Sequence, residues 1–258
     1  MNRLDRLFQR KTADLLNVYF TAGYPERDDT VPVLRALERA GVDLVEIGMP
    51  YSDPLADGPT IQESGSRAIA NGMTLPLLFE QIRTFRSDSD LPLILMGYFN
   101  QVMQFGDDRF IDTCRDVGVD GVILPDLPLH EYETSYRQKF EAAGLHFSFL
   151  ITPQTEPDRI RRVDELTRGF IYMVSSSSIT GKSGDISPEQ LAYFERIAAM
   201  QLKNPRLIGF GISDRRSYET AARYANGAVI GSAFIRALRD GSPDVETATE
   251  AFVRRIRD

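Results

Sequence analysis

The sequence is poor in the residues that bind metals or staple a chain. Cys114 is its only cysteine, so no disulfide can form within the chain, and with only His130 and His146 beside it a Cys/His metal site is not expected. The cytoplasm is the expected compartment. No apolar run approaches membrane-spanning length, and Met1 to Phe8 interleave charge with apolar side chains, so the apolar core of a signal peptide is missing. Those residues fit a short amphipathic helix with Leu4, Leu7 and Phe8 on one face. Positive charge is outnumbered, 30 Lys and Arg against 37 Asp and Glu. A net charge of -7 and a pI near 5.1 exclude a general nucleic-acid binder, so an anionic substrate has to be held by local groups.

What is present is an ordinary globular composition, 42% hydrophobic and 26% charged over 258 residues, enough to bury a substantial core. Short apolar runs rich in β-branched residues recur at Val18 to Phe20, Leu44 to Ile47, Leu93 to Met96, Val122 to Leu124, Phe147 to Ile151, Phe170 to Val174, Leu207 to Gly209 and Ala228 to Ile230. Helical patterns separate them, such as Val33, Leu34, Leu37 and Ala40 ahead of Gly41, or Leu191, Phe194, Ile197 and Ala198 after Ser187-Pro188-Glu189.

Eight alternating units predict parallel strands joined by right-handed crossovers and closed into a (β/α)₈ TIM barrel, a single domain over 1–258. An open doubly wound sheet is the alternative, but no G-x-G-x-x-G follows the first strand. The spacing is longest after strands 2 and 6. Extended loops are expected there, on the face where barrels keep their chemistry, the first with an extra helix near Thr60 to Asn71.

Glu46 interrupts the apolar Leu44-Val45-Glu46-Ile47. Strand alternation puts it on the side of Leu44 and Gly48, pointing into the barrel, with Val45 and Ile47 toward the helices. Desolvation there would raise its pKa and suit it to proton transfer in both directions. Alternation alone leaves a second use open, a carboxylate paired with a basic neighbour. Asp57 precedes Gly58-Pro59, a pattern that serves turns as well as chemistry. Small residues at three later strand ends, Gly181, Gly211-Ile212-Ser213 and Gly231-Ser232, offer backbone N–H groups to a phosphate, with Ser232 opening a short helix. Tyr19, Met96, Tyr98, Ile123, Ile151, Tyr172 and Phe210 stand at strand ends where they either wall a flat slot or pack the barrel. Asp126, in Leu124-Pro125-Asp126-Leu127-Pro128, is expected to give structural support, a cap on the helix that follows it being the plainest form of that role. Lys182 fits a solvated side chain better than a phosphate ligand.

The run from Glu46 through Pro50-Tyr51-Ser52-Asp53-Pro54-Leu55-Ala56-Asp57-Gly58-Pro59-Thr60-Ile61-Gln62 resembles the signature of the tryptophan synthase α subunit. The resemblance extends from Asn17-Val18-Tyr19-Phe20-Thr21-Ala22-Gly23-Tyr24-Pro25 through Leu124 to Pro128 and Ile208 to Ser213 to Gly231-Ser232. It implies a lyase that cleaves indole-3-glycerol phosphate to indole and glyceraldehyde 3-phosphate in tryptophan biosynthesis. Glu46 then corresponds to the proton shuttle and Asp57 to the acceptor of the indole N–H. Tyr172 corresponds to a substrate contact and Tyr98 to a neighbour of the indole end. Asp126 corresponds to a residue that organises the closed site and communicates with a partner.

Thr180 and Gly181 are shared with the family, whereas Ser176 and Ser178 stand where many members carry an arginine and a glycine. The segment Ser175 to Asp185 is expected to act as a lid. The resemblance also implies no cofactor in this chain and a pyridoxal-phosphate-containing β subunit as partner in an αββα heterotetramer, with indole channelled between them. The expected contacts are Asp53-Pro54-Leu55 and Asn100 to Phe105. Two other readings remain, another phosphate-binding barrel such as an isomerase or indole-glycerol-phosphate synthase, and a regulatory subunit with degenerate chemistry.

Overall fold

A computed structural model describes residues 1–175, 186–209, 211–241 and 244–258. Among them are nine parallel strands: β1 (Leu15–Thr21), β2 (Leu44–Gly48), β3 (Leu93–Met96), β4 (Gly121–Ile123), β5 (His146–Phe147), β6 (Leu150–Ile151), β7 (Ile171–Val174), β8 (Arg206–Gly209) and β9 (Gly227–Ile230). Their order is β5-β4-β3-β2-β1-β9-β8-β7-β6. The expected fifth strand is therefore two short pieces. Its first piece pairs with β4 and its second with β7, so the chain through Ser148 and Phe149 closes the ring where the ladder does not. The result is the (β/α)₈ barrel. No helix among the described residues is long and apolar enough to cross a membrane.

The sequence explains the local structure. β2 is buried on both faces, as a strand covered by helices outside and side chains inside has to be. Helix Thr30–Arg39 buries Val33, Leu34 and Leu37 against the strands. At helix Pro188–Ala199 the Ser187 hydroxyl accepts from the Gln190 N–H, and the Gln190 side chain accepts from the Ser187 N–H at 2.8 Å. That reciprocal pair satisfies two donors the helix cannot satisfy itself, and Pro188 at the first helical position loses nothing by lacking one.

Alternation along each strand separates two apolar clusters. Val18, Phe20, Val45, Ile47, Leu93, Leu95 and Val122 face the helix layer. Leu15, Leu44, Ile94, Ile123, Phe170, Leu207 and Val229 fill the barrel, joined by Leu4 and Leu7 of helix Arg3–Arg10. That helix closes the N-terminal mouth. Its Asn2 cap accepts from the Leu4 N–H at 2.9 Å and donates to the Asp120 and Gly144 carbonyls at 2.7 and 2.9 Å. Burying Leu4 and Leu7 there contributes about 1.5–3 kcal/mol each. With one mouth plugged, chemistry has the C-terminal mouth to itself.

The insertion after β2 runs from Met49 into helix Pro59–Ala70. Thr21 at the end of β1 and Ser64 on that helix share a hydrogen bond of 2.7 Å, which fastens the insertion over the barrel mouth. The second expected insertion follows β7; its residues 176–185, with Ser176, Ser178, Thr180, Gly181 and Lys182, lie outside the described residues, as does Phe210.

Candidate active site

Glu46 is fully buried in the middle of β2, in register with Tyr19 of β1 and Ile94 of β3. It points into the barrel, as alternation requires. Among the described residues its partner is not a base. Asn17 Nδ2 donates to Glu46 Oε1 at 2.6 Å, and Glu46 Oε2 has no hydrogen-bond partner among the described residues. Burial drives the carboxyl pKa up to about 8, and the Asn17 hydrogen bond only partly opposes it. Among the described residues, then, no basic side chain pairs with this carboxyl, and its hydrogen-bond partner is a neutral amide. A group poised near neutrality can give and take a proton at similar free-energy cost.

Asp57 stands on the β2 insertion, half-buried, with its carboxyl pKa raised by burial. Its direction is fixed by Tyr98, whose hydroxyl donates to Asp57 Oδ2 at 3.0 Å while accepting from the Ala56 N–H at 3.0 Å. Gln62 Nε2 donates to the Asp57 carbonyl at 2.9 Å, tying the turn to the helix that follows. The Tyr51 ring stacks on Tyr98 at 5.0 Å between centroids, and Asn100 Nδ2 donates to the Tyr51 hydroxyl at 3.0 Å.

Tyr19 and Tyr172 are seated in the barrel by one device. A Cβ built on Gly48 would stand 2.1 Å from the Tyr19 hydroxyl, and one built on Gly209 would stand 2.1 Å from the Tyr172 hydroxyl. Each ring leans across a glycine of the neighbouring strand, a close approach that any side chain would block. Burial first, then the Asp57 carboxylate, raises the Tyr19 hydroxyl pKa; for Tyr172 burial comes first and the Glu46 carboxylate second. The hydroxyls of Tyr19 and Tyr172 thus both feel the Glu46 and Asp57 carboxylates.

A slot at the C-terminal mouth is lined by Tyr19, Met49, Tyr51, Pro54, Asp57, Ile61, Met96, Tyr98 and Leu150. It is mostly apolar, and Asp57 is the one acidic residue among the described residues that line it. Two expectations need correction here. Ile151 packs with the helix layer, and its neighbour Leu150 lines the slot, because the pleat at β6 turns the odd-numbered residues outward. Asp126 does not cap the helix that follows it: both its carboxylate oxygens accept from the Phe99 N–H, at 2.9 and 3.0 Å, at the start of helix Phe99–Phe105. It braces the loop that carries Tyr98.

The glycine-bearing strand ends lie beyond β8 and β9. Gly211 has φ of +79°, which suits glycine, and exposes its backbone. Helix Ser232–Asp240 opens at Gly231 with no side-chain cap among the described residues, the kind of helix start whose first N–H groups can meet an anion. Gly231 also lies against the Tyr19 ring, its Cβ position 3.4 Å from Tyr19 Cδ1.

Several residues of the site were not singled out from the sequence, Asn17, Met49, Tyr51, Pro54, Ile61 and Leu150 among them. Alternation along β1 puts Asn17, Tyr19 and Thr21 on the inward face, so a polar residue inside a barrel strand was the available signal for Asn17. Tyr51 sits in an irregular turn, where no periodicity predicts its stacking.

Comparison with known proteins agrees with this geometry. Residues 5–257 match the family model described as tryptophan synthase alpha chain. The tryptophan synthase alpha chain of Phocaeicola vulgatus is 48% identical over 258 residues, covering 100% of both chains, and that of Flavobacterium psychrophilum is 50% identical over 240 residues, covering 93% of this chain and 94% of its own. The fold superimposes on the crystal structure of the alpha chain from Legionella pneumophila subsp. pneumophila with a TM-score of 0.88 at 32% identity, covering 100% of this chain and 96% of that one. It also superimposes on a chain of the tryptophan synthase complex from Pyrococcus furiosus, with a TM-score of 0.86 at 30% identity, covering 95% of this chain and 98% of that one. With a family model spanning nearly every residue and relatives close to half identical along their full length, this chain belongs to the tryptophan synthase alpha chain family.

Proposed function

We propose that Glu46 and Asp57 carry the reverse aldol cleavage of indole-3-glycerol phosphate, the reaction of this lyase family in tryptophan biosynthesis. The observation that carries the assignment is the buried Glu46 carboxyl, without a basic partner among the described residues and with its pKa raised to about 8, on the strand that runs into the insertion holding the Tyr98-oriented Asp57 carboxylate. The indole ring lies in the apolar slot with its N–H donating to Asp57. As Glu46 delivers its proton to indole carbon 3, positive charge spreads to the ring nitrogen, and the Asp57 carboxylate stabilises it. Glu46, now a carboxylate, takes the proton of the glycerol hydroxyl next to the breaking bond. The carbon–carbon bond breaks, the hydroxyl-bearing carbon becomes the aldehyde of glyceraldehyde 3-phosphate, and the electron pair returns to the ring. Glu46 ends protonated, so the cycle closes within two side chains and draws on no cofactor in this chain.

The phosphate is assigned to Gly211, Gly231 and Ser232, with Thr180, Gly181 and Phe210 of the same constellation, and Tyr19, Tyr98 and Tyr172 wall the substrate. Asp126 supports the site through the Tyr98 loop and does not transfer protons. The whole chain, 1–258, works as one barrel domain in the cytoplasm. An isomerase or synthase barrel would use the phosphate cup without this pair of carboxylates, and a degenerate subunit would not retain both. The test is turnover: Glu46→Gln and Asp57→Asn, which preserve shape and remove charge, should each lower kcat by about 10² to 10⁴ while phosphate affinity holds.

The partner is a β subunit. A groove of about 460 Å³ lined by Tyr51, Asp53, Ile69, Asn100, Gln104 and Phe105 lies next to the indole end, and Leu55 and Met103 are exposed on the same two segments. Apolar side chains left in water beside a groove suit a protein contact. The Pyrococcus furiosus chain of similar fold was solved in a tryptophan synthase complex. An αββα assembly with pyridoxal phosphate in β would take indole from this end.

A further inference from the structure

The barrel interior is apolar on most strands, with Leu44, Ile94 and Leu207 at its centre, yet β1 places an amide there. Asn17 is fully buried, and its Oδ1 has no hydrogen-bond partner among the described residues. A buried amide with an unsatisfied carbonyl weakens a fold relative to an apolar residue of its shape, so packing does not account for it. Its one strong contact is the 2.6 Å hydrogen bond from Nδ2 to Glu46 Oε1.

Building on the functional assignment above, we infer that Asn17 is a positioning residue that sets the acidity of Glu46 and confines its transferable proton to Oε2. An amide N–H can only donate, so Oε1 has to accept in both charge states of the carboxyl. The opposite amide orientation would set Oδ1 against Oε1, two acceptors in contact whenever Glu46 is ionised. With Oε1 anchored, the proton resides on Oε2, the oxygen with no other partner among the described residues. The Asn17 donor also stabilises the carboxylate that remains after carbon 3 has been protonated, since a hydrogen bond to a charged group is stronger than one to its neutral form. Removing it makes Glu46 a weaker acid in the first half of the cycle.

The experiment compares wild type, Asn17→Leu and Asn17→Asp, all of similar side-chain shape, by two readouts. One is the pH profile of kcat for indole formation from indole-3-glycerol phosphate. The other is infrared titration of the protonated-carboxyl band that Glu46→Gln abolishes, which requires no turnover. Wild-type kcat should decline as pH rises past about 8, where Glu46 loses the proton it must donate. In Asn17→Leu both the decline and the Glu46 titration should move up by about one to two pH units, with plateau kcat reduced about tenfold. Asn17→Asp should move them further, because two carboxyls in contact share one proton. A folded Asn17→Asp protein with both the kcat limb and the Glu46 titration unmoved overturns the inference, even if its kcat is uniformly lower. Absence of indole formation by wild type would overturn the functional assignment instead, and the infrared titration would still decide the role of Asn17.

Discussion

A carboxyl that titrates near 8 inside the barrel makes the protein weaken as pH rises, and replacing it should relieve that weakness. In the unfolded chain Glu46 releases its proton near the ordinary value of 4.5, whereas in the folded chain it holds the proton up to about 8. Between those values the folded state binds one more proton than the unfolded state, so folding stability falls with increasing pH and levels off above the higher one. A shift of that size corresponds to about 5 kcal/mol. This is comparable to the whole stability of a marginal domain, about 5–15 kcal/mol. Glu46→Gln keeps the shape and the Asn17 contact while removing the titration. Urea unfolding of both proteins at about pH 5 and about pH 9 measures the difference, with every other titrating group common to the two and cancelling. The variant should match wild type at the acid end and exceed it by several kcal/mol at the alkaline end. A stability difference that stays constant across this range would show that Glu46 is ionised at neutral pH, and the proton-shuttle argument would lose its physical basis.

Other perturbations probe the remaining parts. Gly209→Ala places a Cβ where the Tyr172 hydroxyl lies, so it should cost about 1–3 kcal/mol of overpacking and raise KM, read by melting and steady-state kinetics. Gly231→Val should weaken indole-3-glycerol phosphate much more than dephosphorylated indole-glycerol in calorimetry; equal weakening would mean the helix N-terminus does not bind the phosphate. Asp126→Ala removes both acceptors of the Phe99 N–H and should destabilise helix Phe99–Phe105 by about 1 kcal/mol, seen as faster amide exchange confined to that segment.

Much of this was legible in the residues because the governing periodicities are short. Period-two alternation was enough to aim Glu46 into the barrel and to send Val45 and Ile47 to the helices. Ser187-Pro188 marked a helix start because a side-chain cap and a missing donor act within four residues. Asp57 had a stated role only through its resemblance to a family signature, since a turn aspartate depends for its direction on Tyr98, far away in sequence. The bond from Asp126 to the Phe99 N–H was misjudged for the same reason: capping was sought in the adjacent helix, and the actual partner arrives from the preceding loop. The split of the fifth strand follows from ring closure, a global constraint that no window of sequence contains. Nor does composition announce that Gly48 and Gly209 are small because tyrosines of neighbouring strands lie across them.

The central claim is that this chain cleaves indole-3-glycerol phosphate through Glu46 and Asp57. The most direct measurement is indole release by the purified chain supplied with that substrate, alone and with a β subunit, for wild type, Glu46→Gln and Asp57→Asn. Wild type should form indole and glyceraldehyde 3-phosphate in equal amounts, faster with the β subunit present, and both variants should be slower by about two orders of magnitude or more. Near-normal indole formation by Glu46→Gln, with its mass confirming that the glutamine has not hydrolysed, would contradict the account.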